Sequence, residues 1–66
     1  MTEKLKGREV IFEFTPVGNI MRVSAMDTAS LTEIIVQCPL SAGEAMFKKN
    51  AIMRLEYVLR KKNIIS

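Results

Sequence analysis

Apolar and polar side chains alternate along three separate stretches of the first forty residues. In residues 8–15, for example, Val10 and Phe12 fall on one side of the chain and their neighbours on the other. Residues 20–26 and 31–38 repeat this period of two, which is typical of half-buried β-strands. The chain is therefore predicted to begin with three strands.

Two turns separate these strands and set their pairing. Residues favourable for turns lie at 16–19 and 27–30. We expect Thr15 opposite Ile20 in the first pair and Met26 opposite Leu31 in the second. In this register the apolar positions of all three strands share one face, as strand pairing requires.

A single helix is predicted to follow the strands. Pro39 ends the third strand, because it has no N–H for a ladder hydrogen bond. Ser41 and Glu44 have the spacing of a capping box. The helix is expected over residues 42–62, with Asn63 as its stop. Its apolar positions form a stripe of helical period that suits the sheet.

These elements predict one α+β domain: a three-stranded antiparallel meander in the order 1-2-3, with one C-terminal α-helix packed on one face. The domain is expected over residues 8–63, after a flexible lead at 1–7 and before a C-terminal tail at 64–66. The predicted core consists of Val10, Phe12, Phe14, Met21, Val23, Ala25, Ile34, Val36, Leu40, Ala51, Ile52, Leu55, Val58 and Leu59.

More apolar side chains are present than this fold buries. A second helix stripe holds Met46, Asn50, Met53 and Tyr57, and the outer sheet face holds Ile11, Ile20 and Ile35. They are either scattered surface residues, residues covered by the termini, or a contact surface for another molecule. We expect a homodimer, with an unknown protein partner as the alternative, and we rank the helix stripe first because its apolar positions are contiguous.

The outer sheet face also carries charged side chains. The expected register places Glu13 opposite Arg22 and Glu33 diagonal to it, which predicts cross-strand ion pairs. These charges interrupt the outer sheet face between its isoleucines.

Size and composition limit the other possibilities. A chain of 66 residues buries only about 60% of its unfolded surface, and it has one cysteine and no histidine. An intrachain disulfide is excluded, and neither a metal site nor a cofactor is expected. The lone thiol suits a reducing compartment, so we expect a cytoplasmic protein with no membrane span.

Positive charge is concentrated in the helix. Residues 1–40 carry four cationic and five acidic side chains, whereas residues 41–66 carry six and two. Cations at a helix C-terminus complement the helix dipole, which explains part of this bias. The alternative is a nucleic-acid-binding surface, less favoured than self-association, formed by Lys49, Arg54, Arg60, Lys61 and Lys62.

Catalysis has little support in the sequence. There is no histidine for proton transfer near neutral pH, and the three glycines stand apart from one another. Cys38 has no evident base, and a half-buried position at a strand end explains it better than a nucleophile does. We expect a protein that is not an enzyme.

Several short segments resemble one known family. They are Phe12-Glu13-Phe14, Gly18-Asn19, Val23-Ser24-Ala25, Asp27, Thr32-Glu33 and Pro39. Over about residues 8–60 the chain is similar to a family of short, uncharacterised bacterial proteins, mainly alphaproteobacterial. The resemblance implies the order strand-strand-strand-helix and transfers no activity or site. The chain departs from the family pattern after Asp27, where Thr-Gly is more usual, and at Cys38, where glycine often precedes the proline.

Overall fold

The computed structural model describes all 66 residues. It contains an antiparallel sheet in the order β1-β2-β3-β4 and one C-terminal helix, so the predicted α+β class is confirmed. The elements are β1 (Thr2–Leu5), β2 (Arg8–Val17), β3 (Ile20–Asp27), β4 (Thr32–Pro39), a short 3₁₀ helix (Leu40–Ala42) and α1 (Glu44–Lys61).

The prediction of three strands was wrong, because the expected flexible lead forms β1. Lys6 and Gly7 both have positive φ, at 51° and 79°, which is the geometry of the tight turns that join antiparallel strands. This turn folds β1 back along β2, with Thr2 opposite Ile11. Leu5 then lies against the core.

Both predicted registers are displaced by two residues. Val17 lies opposite Ile20, and Asp27 lies opposite Thr32. The first turn needs only two residues because Gly18 adopts a φ of 59°, a conformation that suits glycine. A shift of two positions keeps every side chain on its predicted face, so the inner and outer faces are as expected.

The helix differs from the prediction at its N-terminus, whereas its C-terminus lies within one residue of the predicted end. Ser41 lies in the 3₁₀ helix, and α1 starts after Gly43 without a side-chain cap, so the capping-box prediction was wrong. At the other end Asn63 has the left-handed φ of 59°. The Ile64 amide donates to the Leu59 carbonyl at 2.9 Å, which completes a Schellman ending.

The core lies between α1 and the inner face of the sheet, mainly over β3 and β4. Leu40 was predicted to belong to it but is 40% exposed in the 3₁₀ helix. Phe47 was not in the predicted core, yet it is buried, with its ring centroid 6.2 Å from that of Phe14. The buried apolar residues are Val10, Phe12, Val23, Ala25, Ile34, Cys38, Phe47, Ala51, Leu55 and Leu59.

The C-terminal tail also contributes to this core. The Schellman ending at Asn63 turns the chain back, and Ile64 and Ile65 pack against the buried cluster. Together with Leu5, they cover part of the apolar surface that three strands and a helix leave open.

We therefore expect Ile64→Ser and Ile65→Ser each to lower the free energy of unfolding by about 1–2 kcal/mol, since each loses a partly buried aliphatic side chain. Urea denaturation followed by circular dichroism measures this change. Ser66→Ala, at an exposed neighbouring position, is the control. Equal stability of all four proteins would contradict the packing of the tail.

Candidate interaction surfaces

The outer sheet face carries four exposed aliphatic side chains. Val17 and Ile20 are direct cross-strand neighbours at one end of the sheet. Ile11 lies toward the other end, opposite the half-buried Met26, and Ile35 lies on β4. Their exposed fractions range from 37% at Ile11 to 56% at Val17. The predicted exposure of Ile11, Ile20 and Ile35 is therefore observed.

Polar side chains occupy the middle of the same face. They surround a shallow depression of about 140 Å³ lined by Glu13, Thr15, Arg22, Ser24, Glu33 and Ile35. The predicted ion pairs of Arg22 were wrong: the shifted register places it between Thr15 and Gln37. Arg22, Glu13 and Glu33 all lack an ion-pair partner within this chain.

The outer stripe of α1, defined as Met46, Asn50, Met53 and Tyr57, spans about 60° of the helix surface at 3.6 residues per turn. Met46, Met53 and Tyr57 are 43%, 59% and 52% exposed. Asn50 lies closer to the sheet, and its amide Nδ2 is 3.4 Å from the Cys38 thiol. The apolar part of the stripe thus consists of two methionines and one tyrosine.

Cationic side chains flank the outer stripe on both sides. Arg54 and Lys61 lie over the Tyr57 ring, with Arg54 Cζ and Lys61 Nζ 5.3 and 5.8 Å from its centroid, distances typical of cation–π contacts. Lys49 and Arg60 lie on the opposite flank by helical periodicity. Arg60 is partly engaged, because its guanidinium reaches Glu56 Oε2 at 3.3 Å.

The predicted nucleic-acid residues are therefore not one continuous patch. Lys49, Arg54, Lys61 and Lys62 make no ion pair, but the apolar stripe separates Lys49 from Arg54 and Lys61. No acidic side chain lies within the stripe, since Glu44 and Glu56 are the only acids of α1.

Lys48 joins the helix to β1 at the edge of the core. Its ammonium Nζ is 2.6 Å from Glu3 Oε2 and 3.5 Å from Glu44 Oε2. The hydrogen bond to Glu3 raises the pKa of Lys48, against a smaller opposing effect of burial. This contact ties the first strand to the first turn of α1, and it removes Lys48 from the set of free cations.

The most perturbed acid in the protein is Asp27, which is fully buried at the end of β3. Arg8 donates to both of its oxygens, from Nε at 3.0 Å and from Nη2 at 2.8 Å. The hydrogen bond from Arg8 lowers the pKa of Asp27 to about 2, burial opposes this shift, and Ser30 adds two further hydrogen bonds. The bond from the Ser30 amide also closes the turn at residues 27–30.

The cluster of Arg8, Asp27 and Ser30 stabilises the fold and does not form a reactive site. The carboxylate of Asp27 accepts four hydrogen bonds, one at Oδ1 and three at Oδ2. Because the carboxylate is fully buried and paired with Arg8, a substrate or a cation in solution does not reach it. The single hydroxyl proton of Ser30 goes to Asp27, so Ser30 Oγ accepts from the Thr32 hydroxyl at 2.8 Å, and the cluster links β2, β3 and β4.

Arg8 was missed by the sequence reasoning, although a signal was present. Arg8 and Asp27 each continue the inward-facing alternation of an apolar strand, one with positive and one with negative charge. Opposite charges at inward positions of neighbouring strands indicate a buried pair, because a buried charge requires a partner.

The geometry defines a small α+β domain with two exposed surfaces of different character and a buried ionic cluster. Residues 7–62 match the model of a family described as a domain of unknown function (DUF6898). The chain belongs to this family, which confirms the resemblance to an uncharacterised small domain. Neither the curated proteins nor the solved structures contain a significant match. The one α-helix lacks the apolar length that a bilayer crossing requires.

Replacing Asp27 by asparagine is expected to lower the free energy of unfolding by roughly 3 kcal/mol, because the partly buried Arg8 loses its counter-charge. Chemical denaturation measures the loss. Glu9→Gln, an exposed acid on the same sheet, is the matched control and is expected to stay within about 0.5 kcal/mol of the wild type. A loss no larger than that of the control would contradict the stabilising role of the cluster.

The lowered pKa of Asp27 also predicts a pH dependence. In the unfolded chain the pKa of Asp27 is near 3.8, and in the folded protein it is about 2. Its stabilising contribution is complete above the unfolded value and is lost as pH falls toward 2. The stability gap between wild type and Asp27→Asn should therefore narrow between about pH 5 and pH 2. Denaturation curves across this range test it, and a constant gap would refute it.

Proposed function

We propose that this protein is a small non-enzymatic interaction module that pairs with a second copy of itself through the outer sheet face. The observation that carries this proposal is the combination of exposed aliphatic side chains and unpaired charges of both signs on one face. Val17, Ile20 and Ile35 supply apolar surface, and Arg22 lies beside Glu13 without pairing to it.

Charges of both signs make this face suitable for self-association. A two-fold axis brings the same patch of both copies together, so each residue meets a residue of its own surface. An arginine of one copy then has a carboxylate of the other within the patch. Arg22 with Glu13 or Glu33 provides such a pairing.

The outer stripe of α1 is less suited to pairing with itself. Both of its flanks carry a net positive charge, since Lys49 and Arg60 lie with Glu56 on one side and Arg54 and Lys61 lie on the other. Parallel or antiparallel packing of two copies places cation against cation, which is unfavourable. The charges thus favour the sheet over the helix stripe, which the sequence pattern alone ranked first.

The size of the sheet face suits a weak dimer. Three strands of eight to ten residues and the four-residue β1, about 4.8 Å apart, cover at most roughly 20 by 25 Å, or about 500 Å² in each copy. The total of about 1,000 Å² lies at the lower limit for specific interfaces. We therefore propose a reversible homodimer, in the cytoplasm, with both helices on the outside.

A second candidate function is nucleic-acid binding by the basic helix. It is supported by the free cations Lys49, Arg54, Lys61 and Lys62. It ranks lower because the apolar stripe interrupts these cations, and apolar side chains gain nothing from phosphate contacts.

We expect sedimentation equilibrium to show a dimer for the wild type at protein concentrations from about 10 to 500 µM. This range brackets the micromolar affinity typical of small reversible interfaces. Ile35→Glu places a charge in the sheet interface and should yield a monomer. Met53→Glu is the matched control, an equally drastic change on the helix stripe, and should leave the dimer intact. A monomeric wild type, or dissociation by Met53→Glu but not Ile35→Glu, would refute pairing through the sheet.

A further inference from the structure

The outer stripe of α1 and its flanks have the anatomy of a protein interface. Met46, Met53 and Tyr57 form an apolar centre, and cations border it on both sides. Protein interfaces commonly combine an apolar centre rich in aromatic residues and methionine with a polar rim. In the proposed dimer this surface stays on the outside of each copy.

We propose that the outer face of α1 docks an amphipathic helix of another protein, in which an apolar strip is flanked by aspartate and glutamate. Charge complementarity is the argument. The face presents Lys49, Arg54 and Lys61 without any ion pair and contains no acid within the stripe. Only a partner with acidic flanks pairs with both edges while its apolar centre covers the methionines.

The spacing of the stripe suits a helical partner. Met46, Met53 and Tyr57 follow one another at intervals of seven and four residues, and the line they form is about 16 Å long at 1.5 Å per residue. With Asn50 included, the stripe follows the alternating intervals of four and three residues that form the contact seam between helices in coiled coils. Methionine adapts its shape to differing partners, so the partner's apolar side chains need not follow one fixed pattern.

Tyr57 is the expected centre of the contact. Arg54 and Lys61 lie over its ring at 5.3 and 5.8 Å, and this packing restricts both cations before any partner binds. Preordered side chains lose less conformational entropy on binding. An acidic residue of the partner thus meets cations that are already positioned beside an aromatic anchor.

Two other occupants of this face fit less well. A membrane-binding helix needs a broad apolar face of bulky residues, whereas this stripe has two methionines, one tyrosine and a polar Asn50. Nucleic acid would leave Met46 and Met53 against phosphates or groove edges. Both remain outcomes that the experiment distinguishes.

The probe is a fluorescent 18-residue synthetic helix with leucines at i, i+4, i+7 and i+11 and glutamates on both flanks. Fluorescence anisotropy at about 0.15 M salt, where exposed charges more than ~8 Å apart are screened, measures its binding. The comparison peptide carries lysine at every glutamate position. A third peptide keeps the glutamates and replaces the leucines by serine. Binding of the first peptide alone is expected.

Protein variants locate the contact. The double variant Arg54→Glu with Lys61→Glu should bind the acidic peptide at least about tenfold more weakly, and it should allow the lysine peptide to bind. Met53→Ser, which keeps all charges, should also weaken it about tenfold. Lys6→Glu, an exposed cation in the β1–β2 turn, is the control and should have no effect. Circular dichroism confirms that each variant is folded.

Three results would overturn the proposal. They are equal binding of the glutamate and lysine peptides, an effect of Lys6→Glu as large as that of the α1 variants, and tighter binding of anionic vesicles or duplex DNA than of the acidic helix. Sedimentation of the same variants separates this proposal from the dimer, because Met53→Ser should lose the peptide and keep the dimer mass, whereas Ile35→Glu should do the reverse.

Discussion

The bonds between Arg8 and Asp27 anchor one end of the sheet, and the surrounding structure depends on them. They join the start of β2 to the end of β3, and Ser30 extends the network to Thr32 on β4. A carboxylate that is fully buried would be costly without these donors. The network therefore helps to fix which residues of the three strands lie opposite one another, whereas the alternation along each strand determines which side chains face the core.

The apolar side chains outside the predicted core fall into two groups. The apolar side chains near the two ends of the chain, Leu5, Ile64 and Ile65, fold back onto the core. The excess that the sequence predicts stays exposed on the outer sheet face and on the outer stripe of α1. A 66-residue domain with a small core gains stability from every segment that adds to that core. The chain termini thus serve the fold, and the two exposed surfaces are free for contacts with other molecules.

The two exposed surfaces differ most in their charge. The outer sheet face carries unpaired charges of both signs around Arg22, whereas the flanks of the helix stripe are positive. Mixed charge is compatible with a second copy of the same surface, and one-sided charge calls for an acidic partner. This difference is the basis for assigning self-association to the sheet and a partner helix to α1. In this proposal the domain has one partner on each side.

The alternation of apolar residues determined β2, β3 and β4, and the helical period determined α1, because both patterns are local properties of the chain. They also placed Ile11, Ile35, Met53 and Tyr57 on the outside, since a displacement of two residues leaves the strand faces unchanged. The tertiary structure alone decided the contacts between distant segments. Three such contacts are the pairing of residues 2–5 with β2, the bonds from Arg8 to Asp27, and the packing of the tail isoleucines on the core. Each joins segments that are far apart in sequence, and local periodicity does not report which distant segments come into contact.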